Sequence, residues 1–161
     1  MSRWRQQAIE GLEAGMTFEF SRTIDDADVE AFGTITRDYN PVHYDQRFAA
    51  TKGLSGLICH GLLVGSMVCE VGGQIGWLAS GIDFHFLRPV TIGDTVTCKV
   101  TIDSIDEKNR AEATAIWTNS SGDIVLRATM RGQIPGNHEK QILTKMVAEG
   151  DPTNKLRSGG Q

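Results

Sequence analysis

The sequence predicts an α+β fold in which a curved antiparallel sheet wraps around one long, buried helix. Three observations carry this. Residues 58–75 are apolar nearly all round, interrupted mainly by small residues such as Gly61, Gly65 and Ser66, which is the pattern of a helix buried on every side. One segment before that helix alternates apolar and polar side chains at the period of a strand, and several segments after it do the same. Strands that follow one another without intervening helices suit an antiparallel sheet with its helix packed on one face.

In chain order, Phe18, Phe20 and Arg22 alternate with Thr17, Glu19, Ser21 and Thr23, giving a first strand that ends where Asp25 and Asp26 can cap a helix. Val29, Phe32 and Gly33 then fall at helical spacing. That helix is expected to stop before Asp38, because Asn40-Pro41 is a turn signal and proline disfavours helical angles in the residue before it. Residues 38–43 therefore read as a loop. A short helix is expected over 46–51, with Gly53 and Gly56 as breakers before the central helix. Beyond it, Ile82, Phe84 and Phe86 alternate up to Arg88-Pro89, followed by Val96, Cys98, Val100 and Ile102. Ala111, Ala113, Ala115 and Trp117 resume the alternation after a turn at 106–109, and Ile124, Leu126, Ala128 and Met130 after a turn at 120–122. From Gly136 the sequence turns polar. The expected organisation is one domain over 1–135 and a polar tail over 136–161, frayed from Asp151 onward.

Composition narrows the function classes. A chain of 161 residues with 40% hydrophobic content can bury the core of one ordinary domain. Its net charge of −4 argues against nonspecific nucleic-acid binding. Cys59, Cys69 and Cys98 are widely spaced in apolar sequence, so they read as reduced, buried packing residues rather than a disulfide framework. The apolar stretch at 58–75 is shorter than the about 20 residues of a membrane span and carries Glu70 and Gln74. The first residues have no apolar run after their basic ones, so neither a secretory signal nor an anchor is expected, and a cytoplasmic location follows.

The chemically informative stretch is Asp38-Tyr39-Asn40-Pro41-Val42-His43. A loop can fold its carboxylate and imidazole toward one point, where both could act on one water. Read alone, the pair is more often structural, since Asp and Asn are favoured turn residues. His85 lies in an alternating strand and reads as surface-facing or satisfied; His138 lies in the polar tail and reads as solvated. Asp38, His43, Asp45 and His60 could be imagined around a metal, but their spacing matches no familiar ligand motif.

Phe32, Ile35, Thr36, Asp38, Asn40-Pro41-Val42-His43 and Ala49 closely resemble the hydratase motif of MaoC-like dehydratases and R-specific enoyl-CoA hydratases, with Arg37 where the motif has glycine. Cys59-His60-Gly61-Leu62-Leu63 is similar to the start of that family's central helix. Phe86-Leu87-Arg88-Pro89-Val90 followed by Gly93-Asp94-Thr95-Val96 is similar to its strand-turn-strand. The resemblance covers roughly residues 15 to 135 and implies the hot-dog fold. It implies Asp38 and His43 as the acid/base pair and the Gly61 N–H as the group that polarises a thioester carbonyl. Asn40, Leu62, Leu63 and Val64 are expected to contact substrate. The resemblance implies an acyl-CoA or acyl-carrier-protein substrate, and the reaction expected is addition of water to a trans-2-enoyl-CoA of short to medium length to give an (R)-3-hydroxyacyl-CoA. With Leu62, Leu63, Val64 and Met67 facing the tunnel, kcat/KM is expected to peak at about four to six carbons. No cofactor and no metal are implied, coenzyme A being part of the substrate. Its phosphates would need cations from among Arg88, Lys99, Arg110, Arg127 and Arg131. A homodimer or higher homo-oligomer is implied, with no nucleic-acid or membrane partner. A hot-dog thioesterase and a noncatalytic acyl-binding module are the rival readings.

Overall fold

The computed structural model describes residues 3–152 and 154–156. Its elements run α1 (Arg3–Glu10), β1 (Thr17–Thr23), α2 (Asp26–Thr36), a 3-10 turn (Pro41–His43), α3 (Gln46–Thr51), α4 (Gly61–Gly65), α5 (Val68–Ile75), β2 (Leu78–Phe86), β3 (Thr95–Ile105), β4 (Arg110–Thr118), β5 (Ile124–Gln133) and α6 (Asn137–Ala148). The five strands form one sheet in the order β1-β3-β4-β5-β2, and every neighbouring pair is antiparallel. The sheet curves around α4 and α5, as the hot-dog arrangement requires. Val64, Met67, Val68, Val71 and Ile75 from the helical side join Phe18, Val96, Cys98, Val100, Ile102, Trp117 and Leu126 from the strands in one core.

The turns between later strands are built by single side chains. Asp106 Oδ1 accepts the N–H groups of Lys108 and Arg110 between β3 and β4, and Asn119 Oδ1 accepts those of Ser121 and Asp123 between β4 and β5. At the first helix, Asp25 and Asp28 make a reciprocal capping box, which fixes where α2 begins.

Five features differ from the sequence expectation. The central helix is two helices, because residues 66–70 tighten into three-residue hydrogen bonds, with Met67 N–H donating to Val64 O, Cys69 to Ser66 O and Glu70 to Met67 O. Gly65 is a weak helix former and Ser66 Oγ donates back to Leu63 O at 2.6 Å, so both favour the break. Residues 3–10 form a helix that sequence periodicity does not reveal. The expected tail contains α6, none of whose residues is buried, which explains why no apolar stripe announced it. Asp151 and Asn154 are buried rather than frayed; residues 157–161 lie outside the described residues. Among the cysteines, all free, Cys59 and Cys98 are buried but Cys69 is exposed. No helix among the described residues is long and apolar enough to cross a membrane.

Candidate active site

The loop from α2 to α3 folds through its own polar side chains. Arg37 ends α2 in the left-handed region, with φ of 60°, and turns the chain toward the core. Asp38 Oδ1 then accepts the Asn40 N–H at 3.2 Å, and Asn40 Oδ1 accepts the Val42 N–H at 3.3 Å. Pro41 opens the 3-10 turn, where its missing N–H has no partner to lose. Asp38 and Asn40 thus do shape the turn, and the turn is what carries His43 inward. Tyr44 holds the loop against α2 through its hydroxyl, which donates to Val29 O at 3.4 Å. A Cβ on Gly33 would fall on that hydroxyl, so glycine is what lets α2 come this close.

His43 and His60 meet at the end of this loop. Both are buried, His60 to 1% exposure, and their rings stack with centroids 3.9 Å apart and planes 32° apart. His43 Nδ1 donates to Ile58 O at 2.7 Å, which leaves its Nε2 as the lone-pair nitrogen of the neutral ring. His60 Nε2 donates to the backbone oxygen of Asp38 at 2.9 Å, and its Nδ1 is buried without a hydrogen-bond partner. One nitrogen of each ring and a carboxylate oxygen of Asp38 all lie within 4.8 Å of one another. The sequence singles out Asp38 and His43 as the acid/base pair and names His60 only beside Gly61 and among the side chains imagined around a metal. In the structure His60 makes no side-chain cap bond; it ties the Asp38 backbone to the His43 ring.

A cavity of about 260 Å³ opens beside these rings, lined by His43, Gly61, Val64, Phe86, Arg88 and Leu126 among others. Gly61 begins α4, so its N–H has no partner within the helix. Because α4 has only five residues, the amide itself matters here rather than a helix dipole. A Cβ on Gly61 would lie 2.8 Å from the Phe86 ring, so the ring closes directly on backbone. Of the residues expected at substrate, Val64 lines this cavity, while Leu62 is 56% exposed and neither it nor Leu63 is part of the lining. The reason is helical phase: Gly61, Val64 and Gly65 share a face, and Leu62 sits a third of a turn away from Gly61. Asn40 serves the turn rather than the cavity wall.

Burial pushes the His43 imidazole below its ordinary value, with His60 acting in the same direction; the Ile58 carbonyl and Asp38 offset part of the effect. A neutral imidazole with a free lone pair near a carboxylate can take a proton from water. Burial pushes the Cys59 thiol up to about 12, so the one cysteine in the cavity wall is not a thiolate nucleophile. Asp38, His43 and His60 are the group of possible metal ligands among the described residues. Asp45, considered with them, has both carboxylate oxygens bonded to Arg47 instead. The His43 and His60 rings are tilted by 32° to one another, and one nitrogen of each already donates to a backbone carbonyl.

The chain is similar to several known proteins. The family profile described as MaoC like domain matches residues 10–121. A 3-hydroxybutyryl-CoA dehydratase of Methylorubrum extorquens is 29% identical over 145 residues, 88% of this chain and 92% of that protein. An (R)-specific enoyl-CoA hydratase of Aeromonas caviae is 34% identical over 102 residues, 61% of this chain and 76% of that one. The solved structure of the (R)-hydratase from A. caviae involved in PHA biosynthesis superposes with a TM-score of 0.74 at 30% identity, covering 78% of this chain and 99% of that chain.

Proposed function

The chain belongs to the MaoC-like domain family, and from that premise we propose that it is a hydro-lyase adding water to a trans-2-enoyl-CoA to give an (R)-3-hydroxyacyl-CoA, reversibly. The observation that carries this is the convergence of an Asp38 carboxylate oxygen and the His43 ring beside a cavity that Gly61 also lines. Hydration of an enoyl thioester needs these groups. Water attacks the β-carbon while negative charge develops on the thioester oxygen, and the Gly61 N–H stabilises that charge, an effect worth about 3 kcal/mol in comparable oxyanion sites. Asp38 and His43 hold the water and accept its proton, and the same proton system delivers one to the α-carbon, so the net change is addition of H and OH. His60 keeps the two in place.

No cofactor enters this scheme, coenzyme A arriving as part of the substrate. Of the five basic residues that could meet its phosphates, Arg88 lines the site cavity, its Nη1 donating to Ile124 O at 2.9 Å, whereas Arg110 is paired with Asp106 and does not line that cavity. Arg88 is therefore assigned to that role. The working form in this proposal is a homodimer joined along β2. That strand ends the sheet, and Leu78, Phe86 and the adjoining Leu87 are all about half exposed or more, an uncovered apolar edge of the kind proteins pair or hide. The free cysteines fit a reducing cytoplasmic setting.

Incubation with crotonyl-CoA tests the reading. Loss of the enoyl absorbance with no free thiol is the expected result. Release of thiol would identify a thioesterase, and no change in either signal would leave an acyl-binding module.

A further inference from the structure

A second apolar cavity lies farther along the central helix. It measures about 230 Å³ and is lined by Val68, Val71, Gly72, Ile82 and Met130 among others. The register of β2 on β5 sets Phe86 opposite Leu126, Phe84 opposite Ala128 and Ile82 opposite Met130. Alternation puts these three pairs on one face of the sheet as successive rungs. The first rung lines the site cavity and the third lines the second cavity; the middle rung lines neither. The helical side repeats the order, with Gly61 and Val64 at the site cavity, then Gly65, then Val68 and Val71 at the second.

Phe84 fills the middle position. A Cβ on Gly65 would lie 3.0 Å from its ring, so the ring rests against the backbone of α4. Its centroid is 6.0 Å from those of both Phe86 and Trp117, which share the first rung through Leu126. Trp117 is fully buried, so on that side the ring is backed by core and cannot shift without disturbing it.

We propose that Phe84, seated on Gly65, is the end wall of the acyl pocket and sets the chain-length ceiling by separating two cavities that would otherwise be one groove. This inference rests on the enoyl-thioester reading above. Each methylene buried before the wall should raise kcat/KM about fourfold, and a tail that reaches the wall should lose that gain.

The test is kcat/KM for trans-2-enoyl-CoAs of increasing length, with wild type, Phe84→Ala and Gly65→Ala. Wild type should peak at about four to six carbons. Phe84→Ala, which opens the second cavity, should raise the ratio of kcat/KM at eight to ten carbons to that on crotonyl-CoA at least about tenfold over wild type. Gly65→Ala, whose Cβ would meet the ring at 3.0 Å and displace it, should alter the length profile as well. An unchanged length profile in a folded Phe84→Ala protein, or a wild-type optimum at long chains, overturns the wall while leaving hydration intact. Should Phe84→Ala not fold, Phe84→Leu carries the same test with a smaller gain. If wild type hydrates no enoyl-CoA of any length, the functional reading and the wall fall together.

Discussion

The two ends of the central helical segment both bury polar side chains, and they handle them in opposite ways. At the far end, Gln74 on α5 and Asn154 exchange two hydrogen bonds, Gln74 Nε2 to Asn154 Oδ1 at 3.0 Å and Asn154 Nδ2 to Gln74 Oε1 at 2.9 Å. Asn154 also donates to Asp151, and Arg5 joins the cluster by donating to Gly73 O and lying 3.8 Å from Asp151. At the near end, a carboxylate oxygen of Asp38 and one nitrogen each of His43 and His60 lie within 4.8 Å of one another, beside a cavity that His43 and Gly61 line. The far cluster joins α1, α5 and the C-terminal segment into one unit, whereas the near one gathers its titratable groups at a space that a ligand can enter. The difference separates a structural clamp from a reactive site without reference to any relative.

The largest expected effect lies at the near end. Asp38→Asn and His43→Gln should each lower kcat on crotonyl-CoA by at least about a hundredfold with little change in thermal stability. Their double mutant should be scarcely worse than either, since both act on one water. Near-wild-type turnover in either single mutant would remove that residue from the chemistry.

A second prediction concerns pH. Burial and His60 hold His43 below the ordinary histidine value of 6.5, so as pH falls through 6.5 the imidazole stays neutral and remains a base. The acid limb of kcat/KM should therefore lie below 6.5, and replacing His43 should abolish it. In the same window an unfolded chain binds a proton that the folded one does not, so stability should decline as pH drops from 6.5 toward the depressed value. An acid limb at or above 6.5 would show that the ring is not desolvated as the structure has it.

Much of this contrast lay beyond the sequence, for physical reasons. Asp38 and His43 were legible because one short turn brings them together, and Asn40-Pro41 marks that turn. β3, β4 and β5 are legible because one face of each is buried; β2 keeps the alternation although none of its residues is buried. His60 stacks on His43 only after a helix start and a distant loop meet in space, and Phe84 faces Gly65 only through strand register. Leu62 and Leu63 were expected at the substrate because composition does not reveal helical phase. The far-end clamp joins residues separated by 80 positions, with no local pattern to announce it, and α6 escaped notice because it buries no side chain.

At the far end, Asn154→Ala should lower folding stability by about 1–3 kcal/mol, because it strands the buried Gln74 amide, while activity per folded molecule stays within about twofold. Denaturant unfolding measured beside turnover checks this. The smallest effect is expected at Arg37. Its left-handed backbone costs a residue with a Cβ roughly 1 kcal/mol, so Arg37→Gly should raise stability by about 0.5–1 kcal/mol without altering the turn beneath Asp38. A fall in the unfolding midpoint would show that the Arg37 side chain supports the loop.

The most direct measurement places both ends in one experiment: crotonyl-CoA hydration and denaturant unfolding of wild type, His43→Gln and Asn154→Ala, side by side. The predicted result is a stable but inactive His43→Gln protein and a less stable but active Asn154→Ala protein. An active His43→Gln, or an Asn154→Ala that is inactive while folded, would contradict the assignment of chemistry to one end and structure to the other.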